Sequence, residues 1–131
     1  MNYLGNHLLV ELHDCNVEKL NDLIKIQAVM KEAVQLSGAT ALKYSFHRFA
    51  PQGISGVIII AESHFTIHTW PEHAYAALDI FTCGHTIDSQ RALLFIKEAL
   101  EVKTLSVTEL KRGNLNLSIG MIKNKSKVGA V

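Results

Sequence analysis

Two stretches with helical periodicity, separated by a long run of strand-length segments, constrain the fold more than any other feature of this sequence. From Val17 to Leu36, apolar residues recur mostly three or four positions apart, which predicts a helix that buries one face. A second stretch of this kind begins at Asp88. Between them, short segments alternate apolar and polar residues, as half-buried strands do. The chain is therefore predicted to form strands that carry two helices.

The ends and the buried faces of both helices can be predicted from residue types. Asn16 is the predicted N-cap of the first helix, and Ser37–Gly38 is its predicted end. The residues expected to face the core are Val17, Leu20, Leu23, Ile24, Met30 and Val34 in the first helix, and Leu93, Leu94, Ile96 and Leu100 in the second.

Strand-like segments precede, separate and follow the two helices. Their order predicts an α+β fold, a two-layer α/β sandwich in which an antiparallel sheet carries two helices on one face. The predicted strands are Leu8–Leu12, Leu42–Phe49, Ile54–Ala61, Phe65–Thr69, Ala74–Phe81 and Val102–Leu110, with Leu115–Ile122 as a further candidate.

Length, charge and polarity restrict the classes of protein that this chain can belong to. Its 131 residues match one ordinary domain, so we expect residues 1–131 to form a single domain. The net charge is +1 and no long basic run exists, so no nucleic-acid partner is expected. No apolar stretch is long enough to span a membrane. The polar N-terminus does not resemble a signal peptide, which predicts a cytoplasmic location where Cys15 and Cys83 stay reduced.

Reactive side chains are concentrated between residues 47 and 85, a window that holds five of the seven histidines. In this window Ser63 follows Glu62 at a boundary between predicted strands, and His68 comes five residues later. A serine hydroxyl can attack the preceding carbonyl and form an ester. A base that removes the serine α-proton then splits the chain and leaves dehydroalanine, and water replaces its nitrogen as ammonia departs, which leaves a pyruvoyl group. Histidine has a suitable pKa for such a base.

Four segments of this sequence resemble the small prokaryotic S-adenosylmethionine decarboxylase family. They read GNHL at 5–8, RFAPQGISG at 48–56, ESHFTIHTWPE at 62–72 and DIFTCG at 79–84, and the resemblance covers about residues 3–122. It implies pyruvoyl-dependent decarboxylation of S-adenosyl-L-methionine, which supplies the aminopropyl donor for spermidine and so for polyamine biosynthesis.

The resemblance also implies that the chain cleaves itself between Glu62 and Ser63. The products would be a β chain of residues 1–62 and an α chain of residues 63–131, which stay together. Ser63 would become the pyruvoyl group that forms a Schiff base with the substrate. His68 would take the Ser63 α-proton during processing, and Ser55 would stabilise the processing intermediates.

Further roles that the resemblance implies concern the substrate. Cys83 would donate a proton to the substrate carbon after decarboxylation, a role that a reduced thiol can fill near neutral pH. Phe49 would stack on adenine, Glu72 would bind the ribose hydroxyls, and Trp70 is either a further binding residue or part of the core. The processed protomers would pair as a homodimer, and no metal is expected.

Three alternatives remain open from the residues alone. A small-ligand regulatory module of this size would need no chain cleavage, so an intact mass separates it from a self-processing enzyme. A pyruvoyl decarboxylase for another amino acid would be separated by a substrate panel. A metal-binding protein that uses Cys83 and nearby histidines is disfavoured, because no second close pair of ligands accompanies Cys83 and His85. Cys15 is expected to be a small buried hydrophobe. The remaining histidines, expected at the surface or at strand edges, are His7, His13, His47, His64, His73 and His85.

Overall fold

A computed structural model of the chain describes residues 3–115. The elements, in chain order, are β1 (Gly5–His13), α1 (Val17–Leu20), α2 (Leu23–Leu36), β2 (Ala41–Arg48), β3 (Ile54–Ile60), β4 (Ser63–Trp70), β5 (Tyr75–Cys83), α3 (Ser89–Ala99) and β6 (Thr104–Arg112). A 3-10 turn, Pro71–His73, joins β4 to β5. The candidate strand Leu115–Ile122 lies outside the described residues except for Leu115.

The six strands form one sheet in the order β2-β3-β4-β5-β1-β6, and every neighbouring pair is antiparallel. Helices α2 and α3 contact each other and share one hydrophobic core with the sheet. The predicted α+β sandwich, with its two main helices on one face, is confirmed. Within residues 3–115, no helix combines the length and the apolar composition that crossing a membrane would require.

The first predicted helix is broken into two, which the periodicity did not predict. Asn16 caps α1 as expected, accepting a hydrogen bond from the Lys19 amide at 3.0 Å. Asp22 then caps α2 by accepting from the Lys25 amide at 3.0 Å. Between the helices, Asn21 Oδ1 accepts a hydrogen bond from the Gly53 amide at 3.1 Å. The break therefore attaches this segment to the turn before β3.

Three of the residues predicted to face the core are exposed instead. Val17 and Ile24 are 48% and 82% exposed, because one continuous helical face cannot be extrapolated across the break between α1 and α2. Leu94 is 58% exposed, because it follows the buried Leu93 and adjacent residues on a helix point about 100° apart. The other predicted core residues of both helices are buried or packed against the core.

Strand alternation divides the sheet into two unlike faces. Side chains such as Ile58, Phe65 and Leu78 are fully buried under the helices. The side chains between them point to the opposite side, which carries no helix and which we call the open face. The open face includes His7, Leu9, Ser55, Val57, Ile59, His64, Thr66, His68, Trp70, Asp79 and Phe81.

Thr69 is a buried polar residue that joins the helical layer to the sheet. It is 5% exposed, and its hydroxyl accepts a hydrogen bond from the Ile54 amide at 2.9 Å while donating to the Leu20 carbonyl at 2.8 Å. The hydroxyl thereby satisfies a strand amide and the last carbonyl of α1, two groups that burial would otherwise leave unpaired.

Replacing Thr69 with Val is expected to lower the free energy of unfolding by about 1–3 kcal/mol for each group left without a partner. Thr69→Ser keeps both hydrogen bonds and loses one buried methyl, worth about 1 kcal/mol. Urea titration at fixed protein concentration, in an uncleaved Ser63→Ala background, measures both. A serine variant less stable than the valine variant would show that the methyl, and not the hydroxyl, matters here.

Candidate active site

Ser63 and Cys83 meet at one end of the sheet. Ser63 begins β4 and Cys83 ends β5, and the strand register places Ser63 opposite Thr82. The Ser63 Oγ is 3.2 Å from the Cys83 Sγ. Ser63 also has a φ of 101°, a conformation that L-residues rarely adopt and that costs about 1–3 kcal/mol. Glu62, on the other side of the predicted cleavage point, is exposed in the preceding turn.

Ser55 and His68 form a second pair on the open face. They are opposite each other on β3 and β4, and the Ser55 Oγ is 2.7 Å from the His68 Nδ1. A cavity of about 250 Å³ lies beside them. Its other lining residues are Ser45, His47, Gly56, Val57 and Thr66.

The two pairs lie far apart within one chain. Ser63 and His68 are five residues apart on β4, and at about 3.3 Å per residue this places them about 16 Å apart. Proton transfer by a side chain requires heavy atoms about 2.6–3.2 Å apart. His68 therefore cannot take a proton from Ser63 of the same chain while β4 keeps this conformation.

The predicted adenosine-binding residues lie toward the sheet end opposite Ser63. Trp70 ends β4, about 23 Å along the strand from Ser63. Its ring is 5.3 Å from that of Tyr75 and it is 39% exposed, so the alternative of Trp70 as core filler is wrong for this chain. Phe49 follows β2, is 48% exposed and lies edge-on to His47 at 4.6 Å. Glu72 is exposed in the 3-10 turn.

His7 and His64 are more buried than the sequence suggested. Both flank Phe81 on the open face, with ring centroids 5.1 and 5.6 Å from the Phe81 ring. Burial is the main cause that lowers the pKa of His64; the neighbouring His7 and Arg112 lower it further, and Asp79 opposes them. The His64 imidazole is therefore neutral near pH 7.

A sequence signal for His64 did exist, because it lies between Ser63 and Phe65 in a segment of strand alternation. The alternation assigns His64 to the sheet face opposite Phe65. It does not show that β5 lies beside β4 or that β1 lies beside β5, and it is β5 and β1 that enclose the imidazoles of His7 and His64.

The two cysteines have different environments. Cys15 is 6% exposed, which confirms the expected buried hydrophobe. Burial, reinforced by the nearby Asp14 carboxylate, raises its pKa to about 11, so it stays a thiol at neutral pH. Cys83 is half-buried beside Ser63. Of the two thiols, that of Cys83 is therefore the one positioned to take part in a reaction at Ser63.

The sequence of this chain matches the family model described as S-adenosylmethionine decarboxylase over residues 6–113. The chain belongs to this family, and the resemblance drawn from its four motifs is confirmed.

Relatives and a solved structure agree with this membership. The chain is 52% identical over 110 residues to the S-adenosylmethionine decarboxylase proenzyme of Thermodesulfovibrio yellowstonii, covering 84% of this chain and 82% of that one. It is 45% identical over 131 residues to that of Thermotoga maritima, covering 100% of both. A crystal structure of the adenosylmethionine decarboxylase from Aquifex aeolicus superposes with a TM-score of 0.80 at 33% identity, covering 86% of this chain and 93% of the other.

Proposed function

We propose that this chain is a proenzyme that cleaves itself between Glu62 and Ser63 and then decarboxylates S-adenosyl-L-methionine. The product would be the aminopropyl donor for spermidine in polyamine biosynthesis. The observation that carries this proposal is the position of Ser63. In a member of this family, the predicted precursor residue has a φ of 101° and its Oγ lies 3.2 Å from the Cys83 Sγ.

Processing requires one bond exchange, one elimination and one hydrolysis. The Ser63 Oγ attacks the Glu62 carbonyl, so that an ester C–O bond replaces the amide C–N bond. A base removes the Ser63 α-proton, the C–H electrons form a C=C bond, and Oγ leaves as part of the Glu62 carboxylate. Water then hydrolyses the resulting enamine, ammonia departs, and a pyruvoyl group remains on the chain of residues 63–131. The unusual φ of Ser63 supports this assignment, because backbone strain is concentrated at functional sites.

The pyruvoyl carbonyl would supply the electron sink that the decarboxylation carbanion needs. The side chains around it have separate tasks. Cys83 lies against Ser63 and would deliver a proton to the carbon that loses carbon dioxide. Phe49 offers an aromatic face for adenine, and such a face contributes about 1–3 kcal/mol per base in nucleobase binders. Glu72 offers a carboxylate for the ribose hydroxyls, with Trp70 as its aromatic neighbour in sequence.

The separation of the two catalytic pairs favours a site built from two copies of the chain. We propose a homodimer in which the open faces pack against each other about a twofold axis. If this axis crosses the strands near Thr66, the two copies of β4 run in opposite directions. Ser63 of one copy then faces His68 of the other. The end that carries Phe49 and Glu72 in one copy likewise approaches the Ser63–Cys83 end of the second.

The composition of the open face supports this packing. It exposes large apolar side chains between its polar groups: Ile59 and Leu110 are each 46% exposed and Trp70 is 39% exposed. Apolar surface of this kind is typical of a protein–protein interface. Free thiols at Cys15 and Cys83 are in keeping with the cytoplasmic location proposed for this enzyme.

Two competing functions make different predictions. A decarboxylase for another amino acid would leave the exposed rings of Phe49 and Trp70 without a planar group to bind. Release of carbon dioxide from S-adenosyl-L-methionine, compared with a panel of free amino acids, separates these substrates. A regulatory module would bind its ligand without any change in the mass of the chain.

Intact mass measured under denaturing conditions tests the processing step. The purified protein is expected to give two species, residues 1–62 and residues 63–131, the second carrying a carbonyl that reacts with hydrazides. Ser63→Ala should remain one chain and be inactive, because no hydroxyl can attack. A wild-type protein that stays whole for hours without carbonyl reactivity would refute the proposal.

Cys83→Ala is expected to lower turnover far more than it lowers processing. General acids contribute about 10²–10⁴-fold to rates, and the loss in kcat should fall in this range. Cys15→Ala is the matched control, since it removes the other thiol away from the site and should keep turnover near the wild-type value. Wild-type kcat in the Cys83 variant would remove this residue from the mechanism.

A further inference from the structure

Three potential metal ligands from three neighbouring strands converge on the open face. His7 on β1, His64 on β4 and Asp79 on β5 each offer one ligand atom, and these atoms lie within 4.8 Å of one another. The register explains this arrangement: both histidines are opposite Phe81, and Asp79 is two residues earlier on the central strand of the three. None of the three has a role in the reaction proposed above.

One atom of this cluster lacks the partner that its burial calls for. His7 Nε2 is buried without a hydrogen-bond partner among the described residues, and such groups are rare in folded proteins. Asp79 Oδ2 lies 3.8 Å from His7 Nε2, which is too far for a hydrogen bond. On a tetrahedral zinc ion with bonds of about 2.0–2.1 Å, two ligand atoms lie about 3.4 Å apart. The distance between His7 Nε2 and Asp79 Oδ2 is therefore close to the one that two ligands of a single ion would have.

We propose that His7, His64 and Asp79 form a binding site for one divalent transition-metal ion of the Zn²⁺ or Co²⁺ class. Two imidazoles and one carboxylate suit such ions, whereas Mg²⁺ and Ca²⁺ prefer sites made of oxygen atoms. The Phe81 ring lies beside both imidazoles and limits their rotation.

Arg112 opposes metal binding and gives the proposal a distinctive test. Its Nη1 lies 3.5 Å from His7 Nδ1, and its guanidinium lies over the Phe81 ring at 5.0 Å. Arginine is always a donor, so a hydrogen bond from Arg112 to Nδ1 requires the His7 proton to be on Nε2. A metal ion needs the lone pair of Nε2, so the proton must move to Nδ1 and Arg112 must swing away. Removing the guanidinium should therefore strengthen binding.

Calorimetric titration of untagged, chelator-treated protein with ZnCl₂ tests the site directly. We expect one ion per chain, and we expect His64→Ala and Asp79→Asn each to weaken binding at least about tenfold. Arg112→Gln should tighten it about tenfold, because a like charge near the ion is removed. His13→Ala, which removes another histidine of β1, is the matched control and should bind as the wild type does. With CoCl₂, the intense visible absorption of tetrahedral Co²⁺ should appear with the same dependence on these residues.

Further variants separate this site from the reacting groups. Cys83→Ala should bind Zn²⁺ as the wild type does, and Ser63→Ala should do so whether or not the chain is processed, so this result does not depend on the decarboxylase proposal. Tightening in Arg112→Gln cannot arise from misfolding. The proposal is overturned if wild-type protein shows no saturable binding, which would mean that the space between these ligand atoms holds only water. It is also overturned if binding survives loss of both His64 and Asp79, or depends on Cys83 instead.

Discussion

The pairing of β4 with β3 on one side and with β5 on the other fixes the positions of the two side-chain pairs of the candidate site. The ladder to β5 brings Ser63 next to Cys83, and the ladder to β3 brings His68 next to Ser55. A hydrogen-bonded strand in the middle of a sheet cannot shorten. The distance of about 16 Å between the two pairs is therefore a fixed property of the fold. A reaction that needs both pairs requires them to come from two copies of the chain.

The hydrophobic core uses only one face of the sheet. Helices α2 and α3 pack against one face and bury its apolar side chains, so the opposite face can carry polar and aromatic groups without loss of the fold. Thr69, on β4 itself, connects this strand to the helical layer and to β3 through its hydroxyl. The strand that carries Ser63 and His68 is thus fixed from the core side and available from the open side.

The sequence predicted much of this architecture and less of the site geometry. Alternation located all six described strands to within a few residues, because side chains of period two must face core and solvent in turn. It failed at Asn21–Asp22, where the helix break depends on a contact with Gly53, thirty-two residues away along the chain. The motifs made Ser63, Cys83, Ser55 and His68 candidates, but residue spacing alone could not show that they form two separate pairs. His7 and His64 were misassigned for a related reason, since their burial depends on which strands become neighbours in the sheet.

The central claim is that His68 of one copy serves Ser63 of another, and mixed dimers test it most directly. A Ser63→Ala chain, which cannot be cleaved but retains His68, is coexpressed with an affinity-tagged His68→Ala chain, and the tagged complexes are analysed by intact mass. The His68→Ala chain alone should remain largely uncleaved, and it should be cleaved between Glu62 and Ser63 when the Ser63→Ala chain is bound to it. A His68→Ala chain that stays uncleaved in verified mixed dimers, or that cleaves equally well alone, would contradict the account.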